Sequence, residues 1–175
     1  MISGRGSNLQ ALLRNPYAIN VQLVISSKQS ANGICKARRA AKSVVVLPKR
    51  IDWRDVHQTL LKHRIDRVFL AGFMRVIPAE FVEAWAGKIL NVHPSILPKY
   101  PGLNSIERAY EEEDVLGVTV HEVTADVDQG VQVIQRSLGA ATRFEKLEQA
   151  EFSVHVLEHR LVCKSSERWG RLETL

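Results

Sequence analysis

The sequence predicts an α/β protein, a doubly wound and mostly parallel sheet with a C-terminal antiparallel extension, in one domain over residues 1–175. Three observations predict it. Short β-branched apolar runs alternate with helix-like stretches through the first half, the pattern of a parallel sheet covered on both faces. The second half changes to two strand-like runs joined by a short acidic loop, which reads as an antiparallel pair. A glycine turn at the very start leads straight into an amphipathic helix, as the first crossover of a doubly wound fold does.

Each element follows from local pattern. Strands are expected at Val21–Ser26 (VQLVIS), Val44–Leu47 (VVVL), Arg67–Gly72 (RVFLAG) and Lys88–His93 (KILNVH), all short and apolar. Helices are expected between them at Gly33–Lys42, Asp52–His63 and Pro78–Trp85, besides the one that follows the glycine turn. GVTVHEV (Gly117–Val123) and VQVIQRS (Val131–Ser137) form the antiparallel pair, and a final helix covers about Lys146–Lys164. One element is short of residues. Only Met1 and Ile2 precede the turn at Ser3, whereas a strand needs about five or six residues. The first strand is therefore expected to be truncated. Either the start is internal to a longer product, whose upstream segment would be β-branched and stabilising, or the chain is a damaged relative.

Composition narrows the function classes. Hydrophobic residues at 45% and charged residues at 25% suit a globular domain, and neither a membrane-length apolar run nor a signal peptide is seen. Two cysteines, Cys35 and Cys163, make no disulfide framework or metal cluster, so a reducing cytoplasm is expected. The net charge of +5 suits an anionic ligand. Outside the Lys36–Lys42 cluster the positives are scattered, without the aromatic–basic pattern of an RNA reader, so neither a nucleic-acid nor a membrane partner is expected.

Three segments carry candidate chemistry. In SGRGSNLQALL, the backbone amides at a helix start favour a phosphate or carboxylate, although a plain glycine turn capped by Ser7 explains it equally well. In ILNVHPSILPKYPG, alternation puts Asn91 and His93 on one face, with three prolines in the next eight residues to stiffen the loop. Either His93 is a buried histidine satisfied by the backbone, or an amide beside an imidazole at the carboxyl end of a strand offers two donors for a developing oxyanion. In HEVTADVDQG, Asp126 and Asp128 share a loop; either they cap their own turn, or a carboxylate close to His93 favours the imidazolium and relays a proton through water. His155 and His159 lie four apart on a helix, but no third ligand is evident, so no metal is expected. Arg75, after a strand end, is a surface charge or a carboxylate clamp.

Taken together, SGRGSNLQALL, AGFMRVIPAEFV, ILNVHPSILPKYPG, GVTVHEVTADVDQG and LEHRL resemble, in order and spacing, the phosphoribosylglycinamide formyltransferase family. The resemblance implies a Rossmann-like formyltransferase fold and transfer of a formyl group from 10-formyltetrahydrofolate to the amine of glycinamide ribonucleotide in purine synthesis, with a possible homodimer. It implies Asn91, His93 and Asp128 as the catalytic set. Gly6, Ser7 and Asn8 would hold the ribonucleotide phosphate, with Arg54 as a further contact and Glu158 on the ribose hydroxyls. Arg75 and Ile77, with the backbone of Val123, Thr124, Ala125, Asp126 and Val127, would line the folate pocket. Methionyl-tRNA formyltransferase and formyltetrahydrofolate deformylase share the Asn–x–His core but differ after it, and a non-catalytic folate or nucleotide binder is the remaining alternative. The chain departs from the family pattern at Asn104, Glu122, Val131–Gln132 and Leu161–Cys163, which bears on pocket shape and kinetic competence.

Overall fold

A computed structural model describes residues 1–15 and 19–171. Six strands fall into two groups. β1 (Leu23–Ser26) pairs in parallel with β2 (Ser43–Val46), and β3 (Val68–Leu70) pairs in parallel with β4 (Ile89–His93). β5 (Val115–Glu122) and β6 (Gln132–Ala140) complete the larger group in the order β3-β4-β5-β6, both antiparallel to their neighbours. Between β1 and β3 lies the start of the chain. Ile2 makes a single parallel bridge to Ser26, and Met1 accepts from Ala71 N–H on the other side. Met1 and Ile2 thus lie where a strand would join the two groups.

Alternation along the strands divides the apolar residues between two layers. Val24, Phe69, Leu90, Val92, Leu116, Val118 and Val120 face one layer, with Leu9 and Leu12 of α1 (Ser7–Arg14), Ala37 of α2 (Gly33–Arg39), Ile106 of α5 (Ser105–Glu111) and Val154 and Leu161 of α6 (Leu147–Arg171). Ile25, Val68, Leu70 and Ile89 face the opposite layer, with Val56 and Leu60 of α3 (Trp53–Lys62) and Phe81 of α4 (Ala79–Ala84). The apolar spacings i, i+3 in α1 and i, i+4 in α3 are those of helices lying flat on a sheet. α3 also has the predicted start, Asp52 accepting from Arg54 N–H at 2.8 Å.

The predicted elements all occur, with ends shifted by a few residues. α5 was not predicted. Its helix follows Asn104 in the left-handed conformation (φ 53), and only seven residues separate that turn from the next loop, too few to show a periodicity. No helix of the described residues is long and apolar enough to cross a membrane.

Candidate functional site

The site occupies the sheet face that the helices leave uncovered. On β4 and β5 the residues facing away from α6 are Asn91, His93, Thr119 and His121, with Asn91 opposite His121 and His93 opposite Thr119. α3 and α4 cover this side only over β1, β3 and the first residue of β4, so polar side chains are free to take the rest.

Two loops roof that face. The proline loop after β4 is held by Thr119, whose hydroxyl donates to Ser95 O at 2.8 Å and accepts from Leu97 N–H at 3.2 Å. The loop after β5 closes where Glu122 N–H donates to Val131 O. Gly130 is required there, because a Cβ would lie 1.7 Å from Glu122 O. Asp128 sits in this loop at φ 56, a conformation uncommon for a residue with a side chain and one that concentrates at functional sites.

The strand face and the Asp128 loop meet in a small network. Asp128 Oδ2 lies 3.3 Å from His93 Nδ1 and accepts from Gly102 N–H at 2.8 Å. Its Oδ1 lies 3.3 Å from His121 Nε2 and accepts from Asn91 Nδ2 at 3.3 Å. Each histidine has its other nitrogen against a backbone carbonyl, His93 Nε2 with Tyr100 O at 2.9 Å and His121 Nδ1 with Glu122 O at 2.8 Å. Carbonyls only accept, so those two nitrogens carry hydrogens. The nitrogens facing Asp128 then bear lone pairs in the neutral rings and N–H groups in the imidazolium. The Asp128 carboxylate thus faces one ring nitrogen of each histidine. Burial alone would raise the pKa of Asp128, but the His121 hydrogen bond, the Gly102 N–H and the two histidines outweigh it and hold the carboxyl below its ordinary range.

Asn91, His93 and Asp128 are therefore brought together as predicted. His121, buried at 2% exposure, was not singled out. Its signal was present: alternation in GVTVHEV sends Val118 and Val120 to the core and His121 to the face of Asn91.

The glycine turn lies at the start of α1. Gly6 has φ 67, and a Cβ on it would meet Gly33 Cα at 2.6 Å, so only glycine allows α2 to approach. That approach brings Lys36 Nζ to 3.4 Å from Gly6 O. Ser7 begins α1, and Asn8 is buried with its Oδ1 lacking a hydrogen-bond partner. Glu158 is also buried, on α6, which packs against α1, and its Oε2 meets His155 Nδ1 at 2.7 Å. His159 Nε2 is a second buried polar atom without a partner on that helix. The start of α1, with no side-chain cap on its amides and Lys36 beside the turn, fits an anionic group.

The remaining predicted residues, Arg54 apart, sit on loops. Arg75 is exposed and donates to Lys49 O at 2.9 Å, Ile77 and Val123 pack against the α3–α4 layer, and Thr124, Ala125, Asp126 and Val127 are exposed. Exposed Leu103 and Val127 flank the Gly102–Asp128 hydrogen bond. Arg54 is exposed in the first turn of α3, and no contact joins it to the glycine turn among the described residues.

Comparison with known proteins decides the family. The family model for formyl transferase matches residues 1–165. The chain belongs to that family. Phosphoribosylglycinamide formyltransferase of Escherichia coli (strain K12) is 40% identical over 77% of the chain and 69% of that protein. The human trifunctional purine biosynthetic protein adenosine-3 is 37% identical over 97% of the chain, which spans only 18% of that relative's length. The crystal structure of phosphoribosylglycinamide formyltransferase from Bacillus halodurans superposes with a TM-score of 0.91, at 30% identity, over 98% of this chain and 93% of that one. Formyl transferase membership agrees with the fold and with the five motifs.

Proposed function

We propose that this formyl transferase moves the formyl group of 10-formyltetrahydrofolate to the amine of glycinamide ribonucleotide. The observation that carries the reading is the Asp128 carboxylate set between two imidazoles and the Asn91 amide on the uncovered face of β4 and β5.

The chemistry follows from these groups. The substrate amine attacks the formyl carbon, and the carbonyl electron pair moves onto oxygen. The His93 Nε2–H, now donated to Tyr100 O, is shared with that oxygen, and Asn91 uses an amide hydrogen on it. Both donors are aimed by the strand rather than by a mobile loop, so little reorganisation is needed as charge develops. Asp128 stabilises the imidazolium and accepts the ammonium proton through water. Collapse of the tetrahedral adduct breaks the bond from carbon to the folate nitrogen, and the proton leaves on that nitrogen as tetrahydrofolate.

Substrate placement uses the rest of the site. The Ser7 and Asn8 amides bind the ribonucleotide phosphate at the start of α1, with Lys36 adding positive charge above the turn. Glu158 takes the ribose hydroxyls. Arg75, Ile77 and the 123–127 backbone hold the folate, with Leu103 and Val127 as its apolar rim. Product formation and tetrahydrofolate release are the test, measured with both substrates. Tight binding of both substrates without turnover would replace this reading with a non-catalytic binder.

A further inference from the structure

The turn Tyr100–Pro101–Gly102 touches both His93 and Asp128. The carbonyl of Tyr100 accepts from His93 Nε2 at 2.9 Å, and the N–H of Gly102 donates to Asp128 Oδ2 at 2.8 Å. Tyr100 points its carbonyl there from the left-handed conformation, at φ 55, which a residue with a side chain holds only where its surroundings fix it. The surroundings of Tyr100 do so. Its ring packs against the core layer that holds α5 and α6 and lies under the Arg108 guanidinium, 5.7 Å from the ring centre. Arg108 also donates to Pro101 O. The Tyr100 hydroxyl reaches Glu112 Oε2 at 2.8 Å and Asp114 Oδ2 at 2.9 Å, at the end of α5 and just before β5. Lys99 Nζ and Val115 N–H each donate to Asp114 at 2.7 Å. With the phenol, they bring its pKa down to about 2, so the acceptor stays ionised at neutral pH.

We propose, on the formyl-transfer reading of the site, that Tyr100 is a positioning residue whose side chain pins this turn to α5 and β5, so that the turn fixes the tautomer of His93. A neutral imidazole has one ring hydrogen, and two acceptors compete for it: Tyr100 O at Nε2 and Asp128 Oδ2 at Nδ1. A charged acceptor holds a hydrogen more strongly than a neutral one. The shorter contact, 2.9 Å to Tyr100 O against 3.3 Å to Asp128, favours Nε2–H only while the carbonyl stays in place. Once the turn relaxes, the hydrogen passes to Nδ1 and is donated to Asp128. A lone pair on Nε2 then faces the developing oxyanion where a donor is needed. Gly102 N–H moves with the same turn, so the Asp128 oxygen that faces His93 loses its backbone donor. The phenol thus acts on the chemistry through the backbone of its own turn.

Tyr100→Phe keeps the ring and removes the hydroxyl. Tyr110→Phe is the control, because the Tyr110 hydroxyl of α5 donates to Phe144 O at 3.2 Å and not to the anchors of the turn. Both variants should lower Tm by roughly 2–4 °C. Only Tyr100→Phe should lower kcat, by about tenfold, with KM for both substrates within about twofold of the wild-type value. Nitrogen-15 spectra of the substrate-free protein, at a pH where His93 is neutral, report the tautomer directly. The wild-type protein and Tyr110→Phe should show Nε2–H, and Tyr100→Phe should shift towards Nδ1–H. Wild-type kcat in Tyr100→Phe overturns the proposal, as does a lowered kcat with an unchanged His93 spectrum. Equal losses of kcat in the two variants also overturn it, leaving Tyr100 a residue of stability alone. A wild-type protein that transfers no formyl group would refute the functional reading, and the His93 spectra would still decide whether Tyr100 sets the tautomer.

Discussion

On the uncovered face of β4 and β5, Asp128 alone meets four groups: two imidazole nitrogens, an amide and a backbone N–H. Between β1 and β3, the ladder runs through the backbone of Met1 and Ile2, with few side-chain partners. One region is over-determined and the other under-determined, within a single fold. The first holds a left-handed Asp128 because several partners fix it. The second depends on one buried side chain, Ile2, at 1% exposure. Chemistry and stability are therefore expected to fail at different places.

The largest effect is expected where the network meets the reacting atoms. His93→Ala should lower kcat on the order of 10³-fold, with substrate binding measured by calorimetry nearly unchanged. Normal turnover in this variant would remove His93 from the chemistry. Asp128→Asn keeps the size and the hydrogen-bonding reach but removes the charge, so kcat should fall on the order of a hundredfold with KM little altered. A rise in KM at constant kcat would instead make Asp128 a binding or turn residue. Neither change should move Tm as far as a change at Ile2.

The next effect tests the under-determined region. Ile2 packs in the core beside Gly33, where a Cβ would lie 2.5 Å from Ile2 Cδ1. Ile2→Ala should cost at least about 2 kcal/mol, seen as a fall of roughly 4–8 °C in Tm. It should also weaken ribonucleotide binding, because Ser3, next in the chain, ties the glycine turn to Ser27 Oγ at 2.5 Å and to Met74 N–H at 2.7 Å. A stable Ile2→Ala variant would mean that Ile2 contributes little and that β1 and β3 are held apart by the helices alone.

The same contrast explains what was legible in the sequence. Strands β1 to β4 are short apolar runs between helical stretches, and their places in the chain follow from pattern alone. Asn91, His93 and Asp128 were legible because polar residues at the end of an apolar strand or in a tight acidic loop need a reason. His121 was legible only as a polar residue on the face opposite Val118 and Val120; its pairing with Asn91 was not, because the register of β4 with β5 is not written in either strand. Lys36 was visible only as one member of a basic cluster, since its position above Gly6 depends on the Gly6–Gly33 approach. The place of Ile2 between β1 and β3 was not legible, because it arises from tertiary spacing that no local window contains.

The smallest effect lies on α6, where His155 Nδ1 meets Glu158 Oε2. That hydrogen bond raises the pKa of His155, against the opposing effects of burial and the charge of Arg5. The folded protein then holds the imidazole proton more tightly than the unfolded chain does. The resulting stabilisation is fully present below the ordinary histidine value of about 6.5 and is lost as pH rises through the higher folded value. The Tm difference between the wild-type protein and His155→Gln should therefore be largest near about pH 6 and shrink towards about pH 9. The side chain is 36% exposed, so solvent screening limits the difference to about 1–2 °C. In a Glu158→Gln background the same substitution should give a difference that no longer varies with pH over this range. A difference that grows with pH in the wild-type background would mean that the neutral imidazole is the stabilising form, with Glu158 serving another partner.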